Sequence, residues 1–209
     1  ARVKLNRTQI RKLTIGKTYD IYPVKGENDQ KIFEYALVLQ MKVKKEEYAD
    51  FIRGITPLVV DLLEMILSSR CHIDLKNCCE TEGDILRWDK NKLKQAGLLD
   101  LLNSKYRGNF TGGPVYSGTI AKIIEYKCRD TALIRNVNEI TRIEGKVRNV
   151  AAHEIVSVTD EWFQTKTGKS AKEIFQILKF LIEKSGIPVK EADWNSYDRM
   201  NQEICRYLR

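Results

Sequence analysis

Of the two histidines in this 209-residue chain, His153 closes a run whose residue types suit proton transfer beside a phosphate. The run reads Glu144-Gly145-Lys146-Val147-Arg148-Asn149-Val150-Ala151-Ala152-His153. Arg148 and His153 stand in an R-x4-H pattern, with Asn149 directly after the arginine and two alanines before the histidine. Imidazole titrates near neutrality, so His153 suits acid–base work. The arginine does not usefully release a proton, but its planar fork matches phosphate oxygens. Together they suit cleavage of a phosphodiester without metal. The 2′-hydroxyl of RNA attacks its own phosphate, Arg148 neutralises the developing charge and His153 moves a proton. The products are a 2′,3′-cyclic phosphate and a 5′-hydroxyl, and DNA, which lacks the nucleophile, should be spared.

These residues need a helix to position them. Glu144 and Arg148 are then one turn apart, as are Asn149 and His153. Arg148 and His153 lie about 140° apart round the axis and about 7.5 Å along it, so they do not fully share a face unless the helix loosens at its end. The reaction needs a base and an acid, whereas each chain offers one good candidate. A two-fold homodimer that brings two copies of His153 together resolves the shortage. The candidate catalytic residues are therefore Arg148, His153 and Asn149, with Glu144 in support. The plainer alternative is a satisfied helix-end histidine and an arginine paired with Glu144, because R-x4-H alone arises often by chance. A long helix, the Asn149 position, the alanine pair and a basic all-α chain favour the catalytic reading.

Composition narrows the setting. Hydrophobic residues make up 43% and charged residues 31%, a globular balance rather than a disordered one. Lys and Arg number 36 against 28 Asp and Glu, a formal net charge of +8 that favours polyanionic partners, nucleic acid foremost. The longest apolar run, Leu58 to Leu67, is interrupted by Asp61 and Glu64, so no membrane span is expected. The first ten residues are polar and basic and form no signal peptide. Five cysteines at irregular spacing read as reduced cytosolic thiols, and a cytoplasmic location follows. Cys71-His72 with Cys78-Cys79 fits no usual zinc spacing, and Asp84 and Asp89 form no paired-carboxylate motif, so neither metal nor cofactor is expected. Lys105, Arg107 and Lys122 are candidates for guiding RNA phosphates, although a solvated charged face explains any one of them. Tyr106, Phe110 and Tyr116 are candidates for stacking on bases, with core packing as the alternative.

The elements read as all-α. Residues 1–25 form a basic arm or linker, and 26–209 a single helical domain. Apolar spacing predicts helices over about 28–43, 46–69 (with Pro57 kinking or breaking it), 90–105, 117–127, 130–155, 160–168, 170–185 and 196–208. Ser170 and Glu173 have capping-box spacing. Weak alternation from Ile73 to Cys79 allows a short strand or hairpin between Cys71 and Arg87. Gly108 to Pro114 reads as a turn-rich loop.

The run Arg148 to His153, followed by Trp162, resembles the HEPN nuclease motif. The tail from Trp194 to Ile204 resembles the C-terminal helix of the Csm-type CRISPR ancillary ribonucleases of type III systems. The likeness covers most of the chain, best from about Ser117 to Arg209. It implies a HEPN helical bundle with a small irregular or short-strand insertion. It also implies a homodimer with Arg148, Asn149 and His153 of both copies in one cleft, and metal-independent cutting of single-stranded RNA. Full-length members of such a family carry a CARF domain that binds cyclic oligoadenylate. No βαβ pattern is seen here, so the chain reads as the C-terminal effector portion, separated from its sensor. The alternatives are a catalytically silent HEPN module that binds RNA, nucleotide or a protein partner, and the toxin of a HEPN toxin–antitoxin pair.

Overall fold

The computed structural model describes residues 23–153 and 158–207, with the backbone alone for 148–153 and 207. Nine α-helices are found among the described residues: α1 (Glu27–Lys44), α2 (Tyr48–Cys71), α3 (Lys90–Gln95), α4 (Leu99–Lys105), α5 (Ser117–Lys127), α6 (Thr131–His153), α7 (Asp160–Thr167), α8 (Ala171–Lys184) and α9 (Ser196–Tyr207). A three-stranded antiparallel sheet interrupts them, in the order β1 (Cys79–Glu82), β2 (Ile85–Trp88) and β3 (Gly113–Pro114). The architecture is thus the expected all-α bundle with a short-strand insertion. Most of the predicted arm, residues 1–22, lies outside the described residues, while Val24 near its end is buried in the core.

Helix α2 is the hub. Phe51, Ile52, Ile55, Leu58, Val59, Leu62, Leu63, Ile66 and Leu67 are all buried, an apolar surface too wide for one neighbour. It packs against α1, α5, α6 and α8. Gly54 sets the closeness of α1: a Cβ there would lie 2.4 Å from Leu39 Cδ2 and 3.1 Å from Tyr35 Oη. The helix runs unbroken through Pro57. Proline removes the amide that would bond to Arg53, but both residues are exposed, so water can take the freed carbonyl.

The predicted helix over 90–105 is two helices, α3 and α4. Gly97 adopts φ +66° between them, a left-handed conformation that ends α3. The hairpin lies later than the alternation from Ile73 to Cys79 suggests. A 3₁₀ turn occupies Leu75–Asn77, and Cys79 pairs with Trp88 at the base of the ladder. Part of the predicted Gly108–Pro114 loop adds the third strand, with Gly113 opposite Trp88.

Local chemistry sets the start of α6 and the elements after it. Asp130 Oδ1 accepts from the Leu133 amide at 2.9 Å and its other oxygen takes the Lys184 ammonium at 3.0 Å, fixing the start of α6 against α8. Thr159 caps α7, Gly168 ends it at φ +79°, and Ser170 and Glu173 form the predicted capping box on α8. Phe163 of α7 packs edge-on to Tyr48 and tilted against Phe51 of α2.

Candidate active site

Arg148, Asn149 and His153 occupy the last turns of α6. Leu133, Val137, Ile140, Ile143 and Val147 recur every three or four residues and are buried, so hydrophobic periodicity fixes how α6 is rotated in the bundle. The backbone stays helical through His153. Positions 148 and 153 therefore keep their separation of about 140°. The last stretch of the helix predicted to reach about Ile155 lies outside the described residues, as do the side chains of 148–153.

The best-defined polar feature of this end is Glu144. It is 1% exposed, as buried as Ile140, Ile143 and Val147 on the same helix. Ser117, the first residue of α5 and equally buried, donates its hydroxyl to Glu144 Oε2 at 2.7 Å. A buried carboxylate needs such donors, since an unpaired charge in the interior is strongly unfavourable. Gly118 lies against Thr141, where a Cβ would sit 4.0 Å from the threonine methyl, so α5 meets α6 closely at this end. Sequence reasoning placed Ser117 only as a helix start. Its hydroxyl is used across the interface instead, and α5 has no side-chain cap bond.

The proposed RNA-guiding residues form a separate group where α4 meets α5. Lys105 pairs loosely with Glu125 at 3.6 Å, and the Lys122 ammonium lies 4.0 Å from the centre of the Tyr106 ring. Tyr106 in turn bonds Thr119 at 2.9 Å and packs on Phe110. Arg107 is exposed, with φ +56°. Tyr116, just before Ser117, is 52% exposed. Away from this end, burial pushes the Cys71 thiol up to about 11 and the Cys79 thiol up to about 12, so both stay protonated at neutral pH.

On the opposite flank, Arg142 ties α6 to α7. Its guanidinium donates to both Glu139 oxygens, at 3.0 and 2.8 Å, and to the Thr167 carbonyl at 2.6 Å. This cluster was not singled out from sequence. The Glu139–Arg142 spacing was its only signal, and the Thr167 carbonyl comes from a distant helix.

The model of the Cas_Csm6 HEPN domain matches residues 21–205. The chain belongs to this family. A curated relative, the CRISPR system endoribonuclease Csm6 of Mycobacterium tuberculosis (strain ATCC 25618 / H37Rv), is 26% identical over 205 residues. That alignment covers 98% of this chain and 46% of the relative, so the chain spans about half the relative's length. Among solved structures, Enterococcus italicus Csm6 bound to cyclic hexa-2′-fluoro-hexa-dAMP shares the fold, with a TM-score of 0.71 and 13% identity. That match covers 90% of this chain and 43% of the other. The R-x4-H run of this domain thus lies in the last described turns of the helix that contacts the hub. Among its described residues no helix is long and apolar enough to cross a membrane.

Proposed function

We propose that this domain is the nuclease portion of a CRISPR endoribonuclease of type III antiviral defence, acting in the cytoplasm on single-stranded RNA. Arg148, Asn149 and His153 of two copies line one composite groove. A homodimer answers both the shortage of proton-handling groups and the 140° offset, because a groove shared by two helices does not need every residue on one face of each. The 2′-oxygen forms a bond to phosphorus as the bond from phosphorus to the 5′-oxygen breaks. One imidazole takes the 2′-hydroxyl proton and the other supplies a proton to the departing 5′-oxygen. Arg148 faces the charge that builds on the non-bridging oxygens, and no metal or cofactor enters the step. Glu144 holds the arginine from the turn below. Lys105, Arg107 and Lys122 guide phosphates on the α4–α5 side. In a full-length parent, a CARF domain outside this chain binds cyclic oligoadenylate and controls the groove.

The observation that carries this reading is the buried Ser117–Glu144 pair one turn before Arg148, in a chain of this family. A carboxylate kept in the interior beside an R-x4-H run fits a site held ready for chemistry. The test is cleavage of end-labelled single-stranded RNA in excess EDTA by the wild type, Arg148→Ala and His153→Ala. The expected outcome is cyclic-phosphate ends from the wild type and a loss of rate of at least about 100-fold in each variant. Cleavage that stops in EDTA and returns with magnesium overturns metal independence. RNA left intact by the wild type under all conditions overturns the enzyme in favour of a binding module.

A further inference from the structure

Beside the motif helix runs a polar groove of about 650 Å³, bordered by Arg135, Asn138, Glu139, Arg142 and Lys169 and floored by Ile177. Arg142 and Lys169 both reach Glu139, Lys169 at 3.9 Å, and among the described residues Glu139 is the only carboxylate on the lining. The Glu139 carboxyl is held below its ordinary range chiefly by the Arg142 hydrogen bonds, with Lys169 and Lys146 adding to the effect. Arg135 is exposed and makes no ion pair among the described residues. The lining thus carries three cations and one carboxylate, and two of the cations meet it. The bidentate bond and the Thr167 carbonyl hold the Arg142 guanidinium in place, so binding there orders little that is not already ordered.

Helix register links this groove to the motif. With 3.6 residues per turn, positions 135, 142, 146, 149 and 153 of α6 fall within about 60° of one another. Arg142 stands about 16 Å below His153 along the axis, and Arg135 about 27 Å below it. The basic groove and the positions of Asn149 and His153 therefore lie on one stripe of one helix.

We propose that this groove is a track for the ribose–phosphate backbone of RNA, engaging phosphates several nucleotides from the one that is cut. The inference rests on the ribonuclease reading above for which strand passes here. Phosphates suit the lining because Arg135, Arg142 and Lys169 supply excess positive charge, and Asn138 adds an amide that can bond a phosphate or ribose oxygen without reading sequence. A second copy of the chain fits less well. Its own groove would bring arginines against arginines across the two-fold axis, and Ile177, the only apolar lining residue among those described, is already buried.

The experiment uses a fluorescein-labelled twenty-nucleotide RNA with 2′-O-methyl ribose, which binds but has no attacking hydroxyl. Its affinity is measured by anisotropy at two salt concentrations for the wild type, Arg135→Glu, Lys169→Ala and the exposed control Lys94→Glu. Arg135→Glu is expected to weaken binding about five- to tenfold and Lys169→Ala about threefold, each lowering the salt slope by about one contact. Lys94→Glu, with the same charge change as Arg135→Glu, should stay within about twofold. On cleavable RNA the groove variants should raise KM and leave kcat in place. Affinity unchanged in both groove variants, or equally weakened in Lys94→Glu, overturns the track. Dissociation of a dimer into monomers with RNA affinity unchanged also overturns it and assigns the groove to a second copy. A wild type that binds the methylated strand through Arg135 but never cuts cleavable RNA overturns the ribonuclease reading and leaves the track standing. Cutting that persists while the variants bind normally overturns the track alone.

Discussion

Ser117 and Glu144, 27 residues apart in sequence, meet at 2.7 Å inside the bundle and join the first residue of α5 to the helix that carries the R-x4-H run. The bond is from a neutral hydroxyl to a carboxylate with almost no contact with solvent. That places it among the stronger hydrogen bonds of a protein, and among the worst to leave half-made. Glu144 is buried on α6, as are Ile140, Ile143 and Val147. The Ser117 hydroxyl gives that buried carboxylate a hydrogen-bond donor from the neighbouring helix.

Replacing Ser117 with alanine should therefore affect two quantities at once. Loss of the hydroxyl removes one donor from a buried carboxylate, at about 1–3 kcal/mol. For a domain of this size that corresponds to a melting temperature lower by roughly 3–9 °C. If Glu144 holds Arg148, kcat on RNA also falls about tenfold with KM little changed. Ser117→Thr, which keeps the hydroxyl, recovers most of that rate. A Ser117→Ala protein that melts lower but cuts at the full rate at low temperature limits the pair to a structural role.

Most helices were legible because their apolar residues recur at helical spacing and their ends carry familiar caps. Asp130, Thr159 and Ser170 each accept the amide that their position predicts. The misses have definite causes. Leu93, Leu98, Leu101 and Leu102 look like one continuous stripe because both short helices face the same core, and that stripe masked the stop signal of Gly97. The hairpin shows little alternation because only Cys79 of β1 is buried. R-x4-H itself was visible in the sequence, but Ser117, Lys169 and the Thr167 carbonyl come to α6 through tertiary packing, which one-dimensional spacing does not encode.

Gly97 offers a test of that stop signal. Nothing lies within 4 Å of a Cβ built there, so space is not the constraint, while φ +66° is. Gly97→Ala should cost about 1 kcal/mol through backbone strain alone, or roughly 2–4 °C in melting temperature. A gain in stability would mean that the α3–α4 junction straightens into the single helix its apolar spacing suggests.

Gly54 presents the opposite case, a helical glycine required by space. Alanine gains about 1 kcal/mol in helix propensity. It also meets the Leu39 methyl at 2.4 Å, which must turn aside within a buried contact. These effects offset, so Gly54→Ala should change stability by less than about 1 kcal/mol, whereas Gly54→Val should lose about 2–3 kcal/mol by overpacking. Urea unfolding of the two variants separates the effects. Equal losses would show that the α1–α2 contact does not depend on side-chain volume at this position.

Glu64 should show a pH dependence opposite in sign to that of the helix-capping acids. Asp130 and Glu173 are held below the ordinary carboxylate range, chiefly by backbone amides they accept, so their contribution is present at neutral pH and fades in acid. Glu64 is raised, chiefly by burial, with Asp61 and Asp74 adding to it and Lys76 opposing. A carboxyl whose proton is held more tightly in the folded state destabilises that state once it ionises. The penalty is absent below its unfolded pKa, develops as pH rises and is complete above its folded pKa. Glu64→Gln should then raise the melting temperature at pH 7 by about 1–3 °C, with the gain shrinking to nothing below about pH 4. A gain that stays constant from pH 4 to pH 7 would assign the effect to packing of the amide and not to the charge.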